Sequence, residues 1–223
     1  MSYVKCALGV VGALGLLAAT QQAQAVTLQD LITSGGQVMQ GNEIYSGFTD
    51  GGTLPASAVT VNFTNSGVQF SANWNTLTTG ANSSVISYTV TAAPGLAING
   101  SDLFFGGQVI VNNATASVGE TLTDTADNKD YSMQVFYAGP NGTNNNLRDS
   151  VVIDPSVTSL RIVKSIDVAA TGANSFASLN FVENTYSNIP GGGGTPPGVP
   201  EPMSLALLPL ALAGLGLRKK LAH

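Results

Sequence analysis

The chain has 223 residues, only 9% of them Asp, Glu, Lys or Arg, and a formal net charge of −5 at pH 7, where soluble domains usually carry about 25% charged residues. Thr, Ser, Asn and Gly stand in for the missing charges. This composition excludes phosphate-backbone recognition, which needs clustered Lys and Arg, so no nucleic acid is expected as a partner. Such a surface suits neutral carbohydrate, cations or bulk water.

Lys5, an apolar stretch at residues 7–19 and then Ala23-Gln24-Ala25 follow the charged, hydrophobic and small-residue order of a secretory signal peptide. The expected signal helix ends with cleavage after Ala25, Ala23 and Ala25 being the small residues that signal peptidase requires after export through the Sec machinery. Cys6 is the one cysteine of the chain. It precedes the apolar stretch rather than the cleavage site, so no lipid attachment is expected and it leaves with the signal. The mature chain then has no disulfide, no Cys nucleophile and no thiolate metal ligand.

The exported domain is expected over residues 26–189. Thr27-Leu28-Gln29-Asp30-Leu31-Ile32 predicts one or two helical turns, with Thr27 as cap, Asp30 in a capping-box position and Gly35-Gly36 as the stop. Residues 37–48 predict a strand or hairpin turned at Gly41-Asn42. From residue 58 to 183 short alternating runs follow one another between Gly, Asn and Pro. Val68, Phe70, Ala72 and Trp74 fall on alternate positions, as do Ile86, Tyr88 and Val90, then Tyr131, Met133, Val135 and Tyr137, then Leu160, Ile162, Ile166 and Val168. Residues 109–111 and 176–182 predict two more strands. No helical period lasts three turns. Seven or more short strands indicate an all-β, antiparallel β-sandwich, either Ig-like or jelly-roll-like, since strand order is not legible in one sequence.

Residues 190–199, rich in Gly and Pro, predict a tether. Then come Pro200-Glu201-Pro202, an uncharged apolar run at 203–217 and the basic cluster Arg218-Lys219-Lys220. As a helix the 15-residue run is roughly 22 Å long against a hydrocarbon core of about 30 Å, so snorkelling bases and local thinning must complete a single C-terminal transmembrane helix. Pro209 predicts a kink within it. The basic end should stay cytoplasmic and leave the domain outside. A buried core helix is the alternative, and three bases directly after a run apolar on every face argue against it.

This order of box, span and basic cluster resembles the PEP-CTERM tail of Gram-negative envelope proteins, over residues 199–220. Residues 30–48, with Asp30-Leu31-Ile32, Gly35-Gly36 and Gly41-Asn42-Glu43-Ile44-Tyr45-Ser46-Gly47-Phe48, are similar to the mature N-terminus of many such proteins. The resemblance implies an exosortase-type membrane enzyme as processing partner, a transient stay in the inner membrane, and a role at the cell surface or in an exopolysaccharide layer. It brings no known activity for the domain.

Little chemistry is on offer within that domain. The only histidine is His223, so His-based triads, His general bases and His-ligated metals are excluded there. No cofactor and no catalytic residue are expected. Between residues 26 and 190 twelve acids face four bases, a net charge of −8. Of the acids, Asp102 before Leu103-Phe104-Phe105 and Glu183 after Phe181-Val182 are flanked by strand-like apolar residues. A glycan-binding or glycan-cleaving carboxylate pair is one reading of them; solvated strand ends are the other. Asp124, Asp127 and Asp130 form the densest acidic cluster, but the spacing misses an EF-hand loop and Lys129 lies inside it, so a turn is expected, with weak calcium binding as the alternative. Trp74 sits on an apolar face, which predicts a core position over sugar stacking. Asn62, Asn82, Asn99, Asn113 and Asn141 open Asn-x-Ser/Thr triplets, which an Asn- and Thr-rich exported bacterial chain produces by chance.

Overall fold

The structure is a computed structural model that describes residues 25–191. The expected signal segment with Ala23, the Pro200-Glu201-Pro202 box, the apolar run and Arg218-Lys219-Lys220 lie outside the described residues. Among the described residues no helix is long and apolar enough to cross a membrane.

In chain order the elements are β1 (Val26–Thr27), α1 (Leu28–Ser34), β2 (Val38–Gln40), β3 (Glu43–Gly52), β4 (Thr60–Thr64), β5 (Gly67–Ala92), β6 (Leu96–Gly106), β7 (Val109–Val111), β8 (Ala114–Asp124), β9 (Asp130–Ala138), β10 (Asn144–Asn146), β11 (Arg148–Val157) and β12 (Ser159–Pro190). Among the described residues every strand pairing is antiparallel.

The start of the domain follows local rules. Thr27 caps α1: its hydroxyl accepts from Asp30 N at 3.1 Å and donates to the Asp30 carboxylate at 2.7 Å, so the carboxylate returns the bond to the hydroxyl rather than to the cap's N–H. Gly35 ends the helix in the left-handed conformation (φ 58°), its N–H reaching the carbonyls of Leu31 and Ile32. Gln40 pairs with Glu43 across Gly41-Asn42, a two-residue hairpin whose first central residue, Gly41, has φ 61°.

Two strands far longer than the alternation suggests organise the rest. β5 and β12 have 26 and 32 residues, each uniting two runs that read as separate strands. Both change direction at the same level, where Leu77 pairs with Phe176 and Thr79 with Thr171, leaving 172–175 opposite Thr78 alone. Thr78 (φ 62°) and Asn174 (φ 60°) supply the left-handed residues that make the bend, and mutual pairing on both sides keeps each strand continuous through it.

Each long strand therefore serves two layers. In the first, the order is β2-β3-β5-β12-β8-β9-β10. In the second it is β1-β4-β5-β12-β6-β11, with β7 also on β12. The layers face each other across one core, as an antiparallel sandwich does. Tyr45 of the first layer meets Phe63 of the second at 5.1 Å between ring centroids, and the Tyr88 and Tyr186 hydroxyls share a 2.7 Å hydrogen bond across the gap. Trp74 lies fully buried in this core and donates from Nε1 to Ser84 Oγ at 3.0 Å, the core position its alternation predicts.

The core also holds a polar group of three. Lys164 and Glu120 are cross-strand neighbours in the first layer and Asn184 faces them from the second. All three are buried. Lys164 Nζ donates to Glu120 Oε2 and, at 2.6 Å, to Asn184 Oδ1, while Asn184 Nδ2 donates to Glu120 Oε1 at 2.6 Å.

Candidate functional site

The outer face of the second layer is where polar and aromatic side chains converge. Alternation sends Val182, Asn184 and Tyr186 of β12 inward, so Phe181, Glu183 and Thr185 point out; on β6, Leu103 and Phe105 go in while Asp102 and Phe104 go out. Register then aligns these outward residues in rows. Arg148, Phe104, Glu183, Gln69 and Asn62 stand side by side on β11, β6, β12, β5 and β4, and the next row holds Ser150, Asp102, Thr185, Gly67 and Thr64.

Within this face Asp102, Phe104, Arg148, Glu183 and Thr185 line a cleft of about 340 Å³. The Arg148 guanidinium contacts the Asp102 carboxylate at 3.1 Å, and Thr185 donates to the same carboxylate at 3.5 Å. Gln69 donates to Glu183 at 3.5 Å and accepts from Ser71 at 3.4 Å. The bonds made by Thr185, Gln69 and Ser71 are long and part-buried, so they orient the groups while leaving lone pairs and N–H groups for another molecule. Phe104, 39% exposed, packs on Phe181 with ring centroids 5.7 Å apart. Phe181 in turn lies over Gly106, where a Cβ would meet its ring at 2.5 Å. The result is an aromatic step edged by a guanidinium, two carboxylates, an amide and hydroxyls.

Asp102 and Glu183 are thus not strand ends. Both lie in mid-strand on adjacent strands, diagonal to one another, because Thr185 is opposite Asp102 and Glu183 opposite Phe104. Arg148, Gln69 and Thr185 carry only a weak signal in the sequence, since each is simply the polar half of an alternating run. The outer face of the first layer differs. A more open depression of about 520 Å³ there surrounds Gly119 with Thr121, Ser132, Gln134 and Ser165 and holds no aromatic ring.

The acidic cluster becomes the turn between β8 and β9. Asp124 Oδ1 accepts from Ala126 N at 2.9 Å, Asp127 Oδ1 from Lys129 N at 2.8 Å, and Asp130 Oδ1 from the Thr123 hydroxyl at 2.7 Å. Lys129 reaches away to the Asp154 carbonyl at 2.7 Å. Asp124, Asp127 and Asp130 do not gather: among the described residues no group of three or more His, Cys, Asp or Glu is placed to hold a metal ion.

No family model matches the chain, and no curated protein matches it. Solved structures similar to it include TmCBM61 in complex with β-1,4-galactotriose, at 13% identity and a TM-score of 0.34, covering 63% of this chain and 88% of that one. The xylan-binding module CBM15 matches at 17% identity and a TM-score of 0.24, over 68% of this chain and 95% of its own. The enzymatically active domain of bacteriophage CBA120 tailspike protein 4 matches at 17% identity and a TM-score of 0.29, over 64% of this chain and 19% of its own. Likeness at this level does not extend what those proteins bind or do to this chain.

Proposed function

We propose that this chain is an exported, non-enzymatic envelope or matrix protein whose domain holds an extended, neutral polysaccharide on the outer face of β11, β6, β12, β5 and β4. The observation that carries this reading is the convergence of Phe104 with Asp102, Arg148, Glu183 and Thr185 in one open cleft. A sugar ring has an apolar C–H face and a rim of hydroxyls. An exposed aromatic ring receives the first, and carboxylates, guanidinium, amide and hydroxyls receive the second. The cleft is open and lies across several strands, which suits a chain better than a small enclosed molecule.

Export, processing at Pro200-Glu201-Pro202 by an exosortase-type enzyme and display at the surface complete the proposal, supported by the resemblance of the tail. In this reading the protein belongs to the exopolysaccharide layer and uses no cofactor.

Affinity electrophoresis and a glycan array on the exported form test the binding, with product analysis on any polysaccharide retained. Phe104→Ala should weaken retention at least tenfold, and because the ring also packs on Phe181 it should lower the melting temperature by no more than the loss of that contact. Retention unaffected by both Phe104→Ala and Glu183→Gln overturns the site. Release of shortened oligosaccharides by the parent, lost in Glu183→Gln, would instead make the carboxylates catalytic.

A further inference from the structure

We propose that Lys164 and Asn184 become joined by an amide bond between Nζ and Cγ in the folded core, with Glu120 carrying the protons and ammonia leaving.

The three groups already stand in reacting order. Lys164 Nζ is 2.6 Å from Asn184 Oδ1, and a carbonyl carbon is about 1.23 Å from its oxygen, so Nζ lies within about 3.8 Å of Cγ. This is close to the separation of a near-attack arrangement. Glu120 touches both ends of the reaction: Oε2 accepts from Nζ, the attacking nitrogen, and Oε1 accepts from Nδ2, the nitrogen that would leave, at 2.6 Å.

The surroundings favour the chemistry. Lys164 lies between Ile86 and Glu120 in the first layer, and Asn184 between Val68 and Leu103 in the second. The side chains of Lys164 and Glu120 are fully buried, which keeps out the water that would compete as nucleophile. Burial pushes the Lys164 amine below its ordinary pKa, although the Glu120 carboxylate opposes this, and a neutral amine is the nucleophilic form.

The step balances without an oxidant or any co-reactant. Glu120 takes one proton from the Lys164 ammonium, and the freed lone pair attacks Cγ, forming the C–N bond and moving the carbonyl electron pair onto Oδ1. Glu120 delivers its proton to Nδ2 and takes a second one from Nζ. As the C=O bond re-forms, the Cγ–Nδ2 bond breaks and ammonia departs. Two buried charges are replaced by one neutral amide, which removes the desolvation cost of holding an ion pair in the core. The product ties the two halves of β12 together across the sandwich, a covalent staple in a domain whose sequence from residue 26 onward has no cysteine.

The full chain, expressed and recovered from cells, is denatured, digested with trypsin and sequenced by tandem mass spectrometry. The expected result is no cleavage after Lys164, a peptide beginning at Ile162 that is lighter by one ammonia, and no fragment ions between Lys164 and Asn184. In Glu120→Ala and Asn184→Ala the tripeptide Ile162-Val163-Lys164 should be released. Its release from the parent protein, with Asn184 at full mass, overturns the proposal and needs no variant to fold. Ammonia loss within the peptide that maps instead to Asn174-Ser175, with Asn184 at full mass, overturns it as well. A crosslink that persists in Glu120→Ala overturns the role of Glu120.

Discussion

Trp74 and Glu43 are both almost inaccessible to solvent, with opposite consequences. The indole of Trp74 fills the core between two halves of its own strand and satisfies its one donor on Ser84. Trp74→Ala should cost about 3–5 kcal/mol, as large aromatic truncations do, and leaves the Ser84 hydroxyl without that bond; a urea titration measures it. Glu43 accepts from Asn188 Nδ2 at 2.6 Å through one oxygen, while the other has no hydrogen-bond partner. Burial pushes its carboxyl above the ordinary range, and the bond from Asn188 only partly offsets this. A raised acid binds its proton more tightly folded than unfolded. Stability from this group is therefore fullest below about pH 4.3, the unfolded value, and is lost as pH rises through the folded one. Glu43→Gln should abolish that loss, so that the variant gains on the parent as pH rises. Melting curves of both proteins across that range check the sign.

At the scale of elements, β5 and β12 decide the architecture because each belongs to both layers. Their junctions are tight. A Cβ at Gly67, the first residue of β5, would meet the Asn184 carbonyl oxygen at 1.8 Å, and backbone cannot step aside as a side chain does. Gly67→Ala should destabilise by about 1–3 kcal/mol, the usual range for overpacking, and should also displace Asn184 from Lys164 and Glu120. Chemical denaturation gives the first effect, and tryptic release of Ile162-Val163-Lys164 reports the second. The short helix depends on local chemistry instead. Thr27 and Gly35 hold its two ends, which is why its limits are visible in the local sequence.

For the whole molecule, the proposed function gives the core and the outer face of the sandwich separate tasks. The space between layers is filled by aromatic and aliphatic side chains around the Lys164, Glu120 and Asn184 group, and the outer face of the second layer is left to polar groups and Phe104. Binding and stability should therefore respond to different substitutions. In the proposed function the tail sets where this happens. If Pro200-Glu201-Pro202 is the processing box, protein recovered outside the cell should lack residues 203–223, and Glu201→Ala should leave precursor in the inner membrane. Mass spectrometry of the surface fraction distinguishes the outcomes: intact Leu217 in extracellular protein means the tail is a permanent anchor.

Much of the sandwich is written locally. Alternation at 68–74, 86–90, 131–137 and 160–168 marks the inward face, because side chains on a strand take opposite sides in turn. The same alternation holds a further signal: between Ile162 and Ile166 the inward position is Lys164, between Val118 and Leu122 it is Glu120, and between Val182 and Tyr186 it is Asn184. A polar residue on the buried phase of a strand needs a partner, yet nothing in the local pattern says which. Partners are chosen by register between segments far apart in the chain, as with Thr185 and Asp102, 83 residues apart. The union of two short runs into β5 or β12 escapes local reading for the same reason, since a bend at Thr78 or Asn174 ends a strand unless a neighbour bends with it. Periodicity is a property of one segment, whereas the cleft, the bends and the buried group of three belong to the pairing of many.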